Sequence, residues 1–187
     1  MMDDIFMERI VHRKKDVTYY IKLVSLLLTA VLVMITLIWL LLAIPTVSFL
    51  IPIALAATLY GVWWAITAMD VEYEYIVTNG EIDIDTIVHR RKRKRVFSGR
   101  SKDFEVMARL DSDEFREAAG RLPQERKAGR IKVVDCSAVP GAAHSWFFIT
   151  NYKSARLMVV FDPDARMLAS LKRFNPSRIK YNPALHD

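Results

Sequence analysis

The 187-residue chain has one cysteine, six glycines and, over residues 23–69, no Asp, Glu, Lys or Arg. A lone cysteine excludes an internal disulfide framework and a multi-thiolate metal site. None of the six glycines falls in a phosphate-cradling spacing, so no nucleotide-binding loop is written in the chain. His144-Ser145 lacks a nucleophile elbow and Cys136 has no CxxC partner, while His12, His89, His144 and His186 are scattered without ligand spacing. A Cys136/His144 dyad rests on no motif, and an ordinary strand cysteine is the simpler reading. The sequence therefore carries no pattern for catalysis, for a cofactor or for a resident metal, and the expectation is a protein that is not an enzyme.

The uncharged run points the other way, to a definite place. About 20 apolar residues cross a bilayer as a helix, so the 47 residues of this run suit two crossings and a short turn. Pro45, Thr46, Ser48 and Pro52 supply the division, giving expected spans near 23–44 and 52–69, with Pro52 in the first turn of the second and Asp70 just beyond its end. A cleaved signal peptide is the competing reading of the first span. Its 22 residues exceed a signal h-region of about 7–15, and no small-residue cleavage site separates it from the second span. Neither span holds an ionisable residue, which argues for an anchor rather than an ion pathway. Arg9, Arg13, Lys14, Lys15 and Lys22 precede the hairpin, its turn has no cation, and a cationic run follows it, so both termini are expected on the cytoplasmic side of a multi-pass protein. The organisation is then a basic N-terminal segment (1–22), a transmembrane hairpin (23–69) and a cytoplasmic domain (70–187).

That domain reads as β-rich. Residues 71–78 and 81–88 alternate on either side of Asn79-Gly80, the strongest short hairpin signal, and further strands are expected at 93–98, 103–110, 131–137, 146–152 and 156–161, seven in all. A short helix is expected over 113–121, capped by Asp111 or Ser112, with 122–129 as a polar loop. The last helix is expected to take Asp162 as its cap and Pro163 in its first turn, with Met167, Leu168, Leu171 and Phe174 as its apolar stripe and Asn175-Pro176 as its stop. Trp146, Phe147, Phe148, Tyr152 and Phe161 are expected in the core.

The one sharp feature is the run Arg90, Arg91, Lys92, Arg93, Lys94 and Arg95, whose charge equals the net +6 of the chain. As a strand it would place cations on both faces, so it should be an edge, a bulge or a protruding hairpin. If the chain leaves the membrane at Val71, eight residues climb roughly 26 Å and the return strand brings the run back to the bilayer surface. Six cations near anionic headgroups bound the attraction at about 6 kcal/mol, screened beyond about 8 Å. The candidate site is therefore an anionic-lipid or partner surface made of these six residues. A solvated edge, a topology signal and an acidic protein partner remain alternatives, and nucleic acid is disfavoured because a basic stretch alone carries no base readout. Asp83 with Asp85, and Asp111 with Asp113 and Glu114, could suggest a divalent cation but read more simply as a strand's wet face and a helix N-terminus.

Seven short strands and a C-terminal helix resemble the pleckstrin-homology-like (PH-like) architecture, a bent sheet or partly open barrel closed by its last helix, here in an α+β membrane protein. At the level of residues, Val71-Glu-Tyr-Glu-Tyr-Ile-Val-Thr-Asn-Gly-Glu-Ile-Asp-Ile-Asp, the cationic run, Lys102-Asp-Phe-Glu-Val-Met and Phe161-Asp-Pro-Asp resemble a family of small two-span bacterial membrane proteins of unknown function. The resemblance implies a bacterial cytoplasmic-membrane location and no site residues. The expected role is a membrane-anchored domain for protein interaction or self-association at the inner leaflet. The other reading is an accessory subunit of a larger transporter or envelope enzyme, for which Ala54, Ala56, Ala57 and Gly61 would permit close helix contact.

Overall fold

The computed structural model describes residues 6–89 and 92–182. The chain divides into two compact units, residues 15–71 and the remainder.

The first unit is a helical hairpin. Helix α1 (Val17–Leu42) and helix α2 (Ile51–Ala68) are joined through a 3-10 turn over Pro45–Leu50 and pack on one another. Helix α1 begins six residues earlier than the apolar run because the carboxylate of Asp16 accepts the Tyr19 amide at 2.8 Å and so caps it. Pro52 stands in the first turn of α2, where its missing N–H is not needed. Hydroxyls on the helices are satisfied locally: Thr29 donates to the Ser25 carbonyl, Thr36 to Leu32 and Thr58 to Ala54. Neither helix has a buried residue, and both are long and apolar enough to cross a membrane.

The second unit carries two four-stranded sheets. The first has the order β1 (Phe6–His12), β2 (Val71–Thr78), β3 (Glu81–Val88), β4 (Lys92–Arg100). Asn79 and Gly80, at φ of 50° and 80°, make the tight turn between β2 and β3. Strand β1 is an eighth strand beyond the seven expected from the sequence. It pairs antiparallel with β2, Met7 opposite Val77 and His12 opposite Glu72, and seats Val11 in the core. The second sheet has the order β5 (Phe104–Arg109), β7 (Trp146–Tyr152), β8 (Ala155–Phe161), β6 (Ile131–Asp135), in which β6 runs parallel to β8. The strands described do not close into a barrel.

Helix α3 (Asp113–Lys127), capped by Ser112, crosses between β5 and β6. It runs through Pro123 rather than ending before it. Phe115, Ala118 and Leu122 share one face and pack on the cluster of Ala108, Phe147, Ile149, Met158 and Val160, so ending the helix early would strip Leu122 from that cluster. Helix α4 (Ala165–Phe174) is capped by Asp164, whose side chain accepts the Met167 amide at 2.7 Å. Asp162, the cap expected from the sequence, instead accepts the Ala138 amide at 2.6 Å, so Pro163 lies outside the helix. The main core gathers Tyr75, Val77, Ile82, Ile84 and Phe97 of the first sheet, Phe104, Phe148 and Phe161 of the second, and Met167 and Leu171 of α4. Strand β7 lies between this core and the α3 cluster, which is why Trp146-Phe-Phe-Ile reads as continuous rather than alternating apolar sequence. Trp146, Phe147, Phe148 and Phe161 are buried as expected, with Tyr152 packed against them.

Candidate functional site: a basic edge strand

Of the six cations singled out above, Arg90 and Arg91 lie outside the described residues. Lys92, Arg93, Lys94 and Arg95 form the first half of β4, an edge of the first sheet. Their facing is set by an irregularity. Ile84 pairs with Phe97 but Asp85 pairs with Arg95, so Val96 is an extra residue, a β-bulge that lets Val96 and Phe97 both meet the core. Counting back from Phe97 by plain alternation, Arg95 and Arg93 would turn inward. The bulge reverses the phase: Arg93 and Arg95 take the outer face with Asp83 and Asp85, while Lys92 and Lys94 take the opposite face beside Val88 and Thr86.

On the outer face the arginines meet carboxylates. Arg95 reaches Asp83 at 2.8 Å and donates from Nε to Asp85 at 2.5 Å, and Arg93 Nη1 lies 2.9 Å from Glu74. Asp85 and its hydrogen bond hold the Arg95 guanidinium in its charged form even more firmly than usual. Glu74 is only 1% exposed, and burial pushes its carboxyl above the usual range; Arg93 opposes that shift and Glu8 of β1 adds to it. At the same end of this face His12 Nδ1 stands 3.2 Å from Glu72. Lys92 and Lys94 are exposed and, among the described residues, have no carboxylate at ion-pair distance.

Connectivity places this end of the sheet. His12 of β1 pairs with Glu72 of β2, and the chain runs from His12 to the Asp16 cap of α1, and from Ala68 of α2 to Glu72, over four residues each way. The β3 to β4 connection, between Val88 and Lys92, is at this same end, opposite the Asn79-Gly80 turn.

Two of the other carboxylates that the sequence puts close together have local partners. Asp113 pairs with Arg116 at 2.6 Å, and Asp111 with Arg109 at 2.8 Å, while Glu114 stands in the first turn of α3. Cys136 is buried, which pushes its thiol up to about 12, with Asp135 adding to the shift, so it is not a thiolate at neutral pH. His144 borders a separate cleft with Arg109, Trp146 and Tyr181. His186 lies outside the described residues.

One charged cluster escaped the sequence reading. Arg156 of β8 is held by Glu105 of β5 at 2.7 Å and Glu125 of α3 at 3.0 Å, at the rim of a cavity of about 160 Å³ floored by Val106, Leu122 and Ile149. Its partners are 51 and 31 residues away in sequence, so no local spacing announces it.

Two sheets, a C-terminal helix across their core and two apolar helices that fall between the first two strands in chain order define the class: a PH-like domain with a candidate membrane anchor. The chain belongs to the family described as a bacterial PH-like domain, DUF6106, whose model matches residues 3–181 and so includes the helices as well as the sheets. No curated protein and no solved structure matches the chain.

Proposed function

We propose that this chain is a non-enzymatic binding module anchored in the bacterial cytoplasmic membrane by its helical hairpin, with both termini cytoplasmic and the basic edge strand resting on anionic headgroups. The observation that carries the reading is the position of β4: its cations occupy the sheet end from which the chain passes to both apolar helices within four residues. A basic residue near an anionic surface contributes about 1 kcal/mol, and only within about 8 Å of it. On a protein already anchored, that energy orients the domain rather than recruits it, leaving other surfaces, among them the Arg156 cavity, turned to a protein partner or to a second copy.

The test uses the full-length protein with Cys136→Ala and a nitroxide on Val88→Cys, in nanodiscs carrying a headgroup-chelated nickel ion. Relaxation of the nitroxide by nickel should be stronger with phosphatidylglycerol than with phosphatidylcholine and should fall in high salt. Equal relaxation in the two lipids overturns the lipid reading. Orientation is checked separately: in the same background a cysteine at the exposed Ser98 should react with an impermeant maleimide only after cells are permeabilised. The accessory-subunit reading has its own observation, an α2 that has no fully buried residue and carries exposed Ala57 and open space beside Gly61. Co-purification of a larger integral membrane protein in mild detergent would favour it.

A further inference from the structure

The cationic run is not one uniform patch of charge. We infer that it is divided by the Val96 bulge into two sets with different work: Lys92 and Lys94 contact the phosphates of anionic phospholipid, while Arg93 and Arg95 fix the edge strand to the sheet and do not touch lipid. The inference rests on the lipid reading above and names the residues that carry it.

Register and pairing separate the two sets. Arg93 and Arg95 lie on the face that also bears Glu74, Asp83 and Asp85, and their guanidinium groups are engaged at 2.9, 2.8 and 2.5 Å. A planar guanidinium that grips two carboxylates, as Arg95 does, has few donors left for a phosphate. Moving Arg93 to lipid would also leave Glu74, and moving Arg95 would leave Asp85, as uncompensated buried carboxylates at 1% and 8% exposure. Lys92 and Lys94 carry the opposite chemistry: compact, mobile ammonium groups, exposed, unpaired among the described residues, and on the face away from those carboxylates. A basic strand without the bulge would put its arginines inward and its lysines against the acids, so the extra residue decides which cations are available.

The experiment compares Lys92→Gln/Lys94→Gln with Arg93→Lys/Arg95→Lys in the full-length, Val88-labelled protein in phosphatidylglycerol nanodiscs, and follows amide exchange of β4 in parallel. Lys92→Gln/Lys94→Gln should lower nickel relaxation to the phosphatidylcholine level with β4 exchange unchanged. Arg93→Lys/Arg95→Lys, which keeps the charge but loses the bidentate grip, should keep the lipid signal and exchange β4 amides about tenfold faster. If the lysine variant retains the phosphatidylglycerol signal, the division is wrong while the lipid reading stands. If the arginine variant leaves β4 exchange unchanged, the arginines do not fix the strand. A wild type that does not distinguish the two lipids removes the lipid reading itself, and the inference with it.

Discussion

Arg95 of β4 and Asp85 of β3 stand directly opposite in register and share two hydrogen bonds, Nε to Oδ1 at 2.5 Å and Nη2 to Oδ2 at 3.3 Å. The pair exists because Val96 is bulged. Were Val96 in regular register, it would itself stand opposite Asp85, and Arg95 would move to the inner face opposite Thr86.

Arg95→Gln therefore removes the cation from a buried carboxylate and from Asp83 together. Since the arginine side chain is itself 44% exposed, the cost is discounted from that of a fully buried pair to about 1–2 kcal/mol. Amide exchange across β3 and β4 should quicken roughly tenfold while β7 and β8 are unaffected.

Glu74 gives a pH dependence of definite sign. Its native carboxyl binds a proton more tightly than the usual 4.5 of the free group, so the stability it contributes is fully present below that value and is lost as pH rises through the native value. Glu74→Gln cannot ionise. The stability of the variant relative to wild type, from thermal unfolding at a series of pH values, should therefore improve as pH rises above about 4.5. A difference that is flat with pH contradicts the burial argument.

Gly80→Ala tests the first turn. The position has φ of +80°, and a Cβ there would stand 2.4 Å from the ring of Phe174, which must move. The expected cost is about 1–2 kcal/mol, read as faster exchange of the β2 to β3 hairpin and of the last turn of α4.

The helical hairpin was legible because composition alone determines what a bilayer accepts, and β2 and β3 because alternation and Asn-Gly agree. Strand β1 was not legible. Only Met7 and Val11 turn inward with Arg9 between them, and what makes the segment a strand is the open edge of β2 lying some 60 residues further on. The two misplaced helix ends also have distant causes: Asp162 and Asp164 are both competent caps for α4 and the Ala138 amide takes the first, while α3 runs on past Pro123 to pack Leu122 on the second cluster. Within the candidate site the run was plain and its parity was readable, but not the face each set occupies. Val96 and Phe97 are consecutive apolar residues, and nothing local says that both meet the core through a bulge.

Because residues 15–71 separate β1 from the rest of its sheet in sequence, residues 72–187 alone should fold poorly, with β2 left as a bare edge. His12 and Glu72 are paired neighbours, so replacing residues 15–71 by a flexible Gly/Ser linker of about six residues should restore a monomeric, cooperatively unfolding domain. Gel filtration and thermal unfolding of the two fragments check this. Equal folding of both would show that β1 is dispensable.

The central claim is that the basic edge strand meets anionic lipid at the sheet end from which the chain passes into the two helices. Nickel relaxation of a nitroxide at Val88 in the full-length protein tests it most directly. The account predicts stronger relaxation in phosphatidylglycerol than in phosphatidylcholine nanodiscs, abolished by Lys92→Gln/Lys94→Gln. Relaxation of the unsubstituted protein that is the same in both lipids would contradict it.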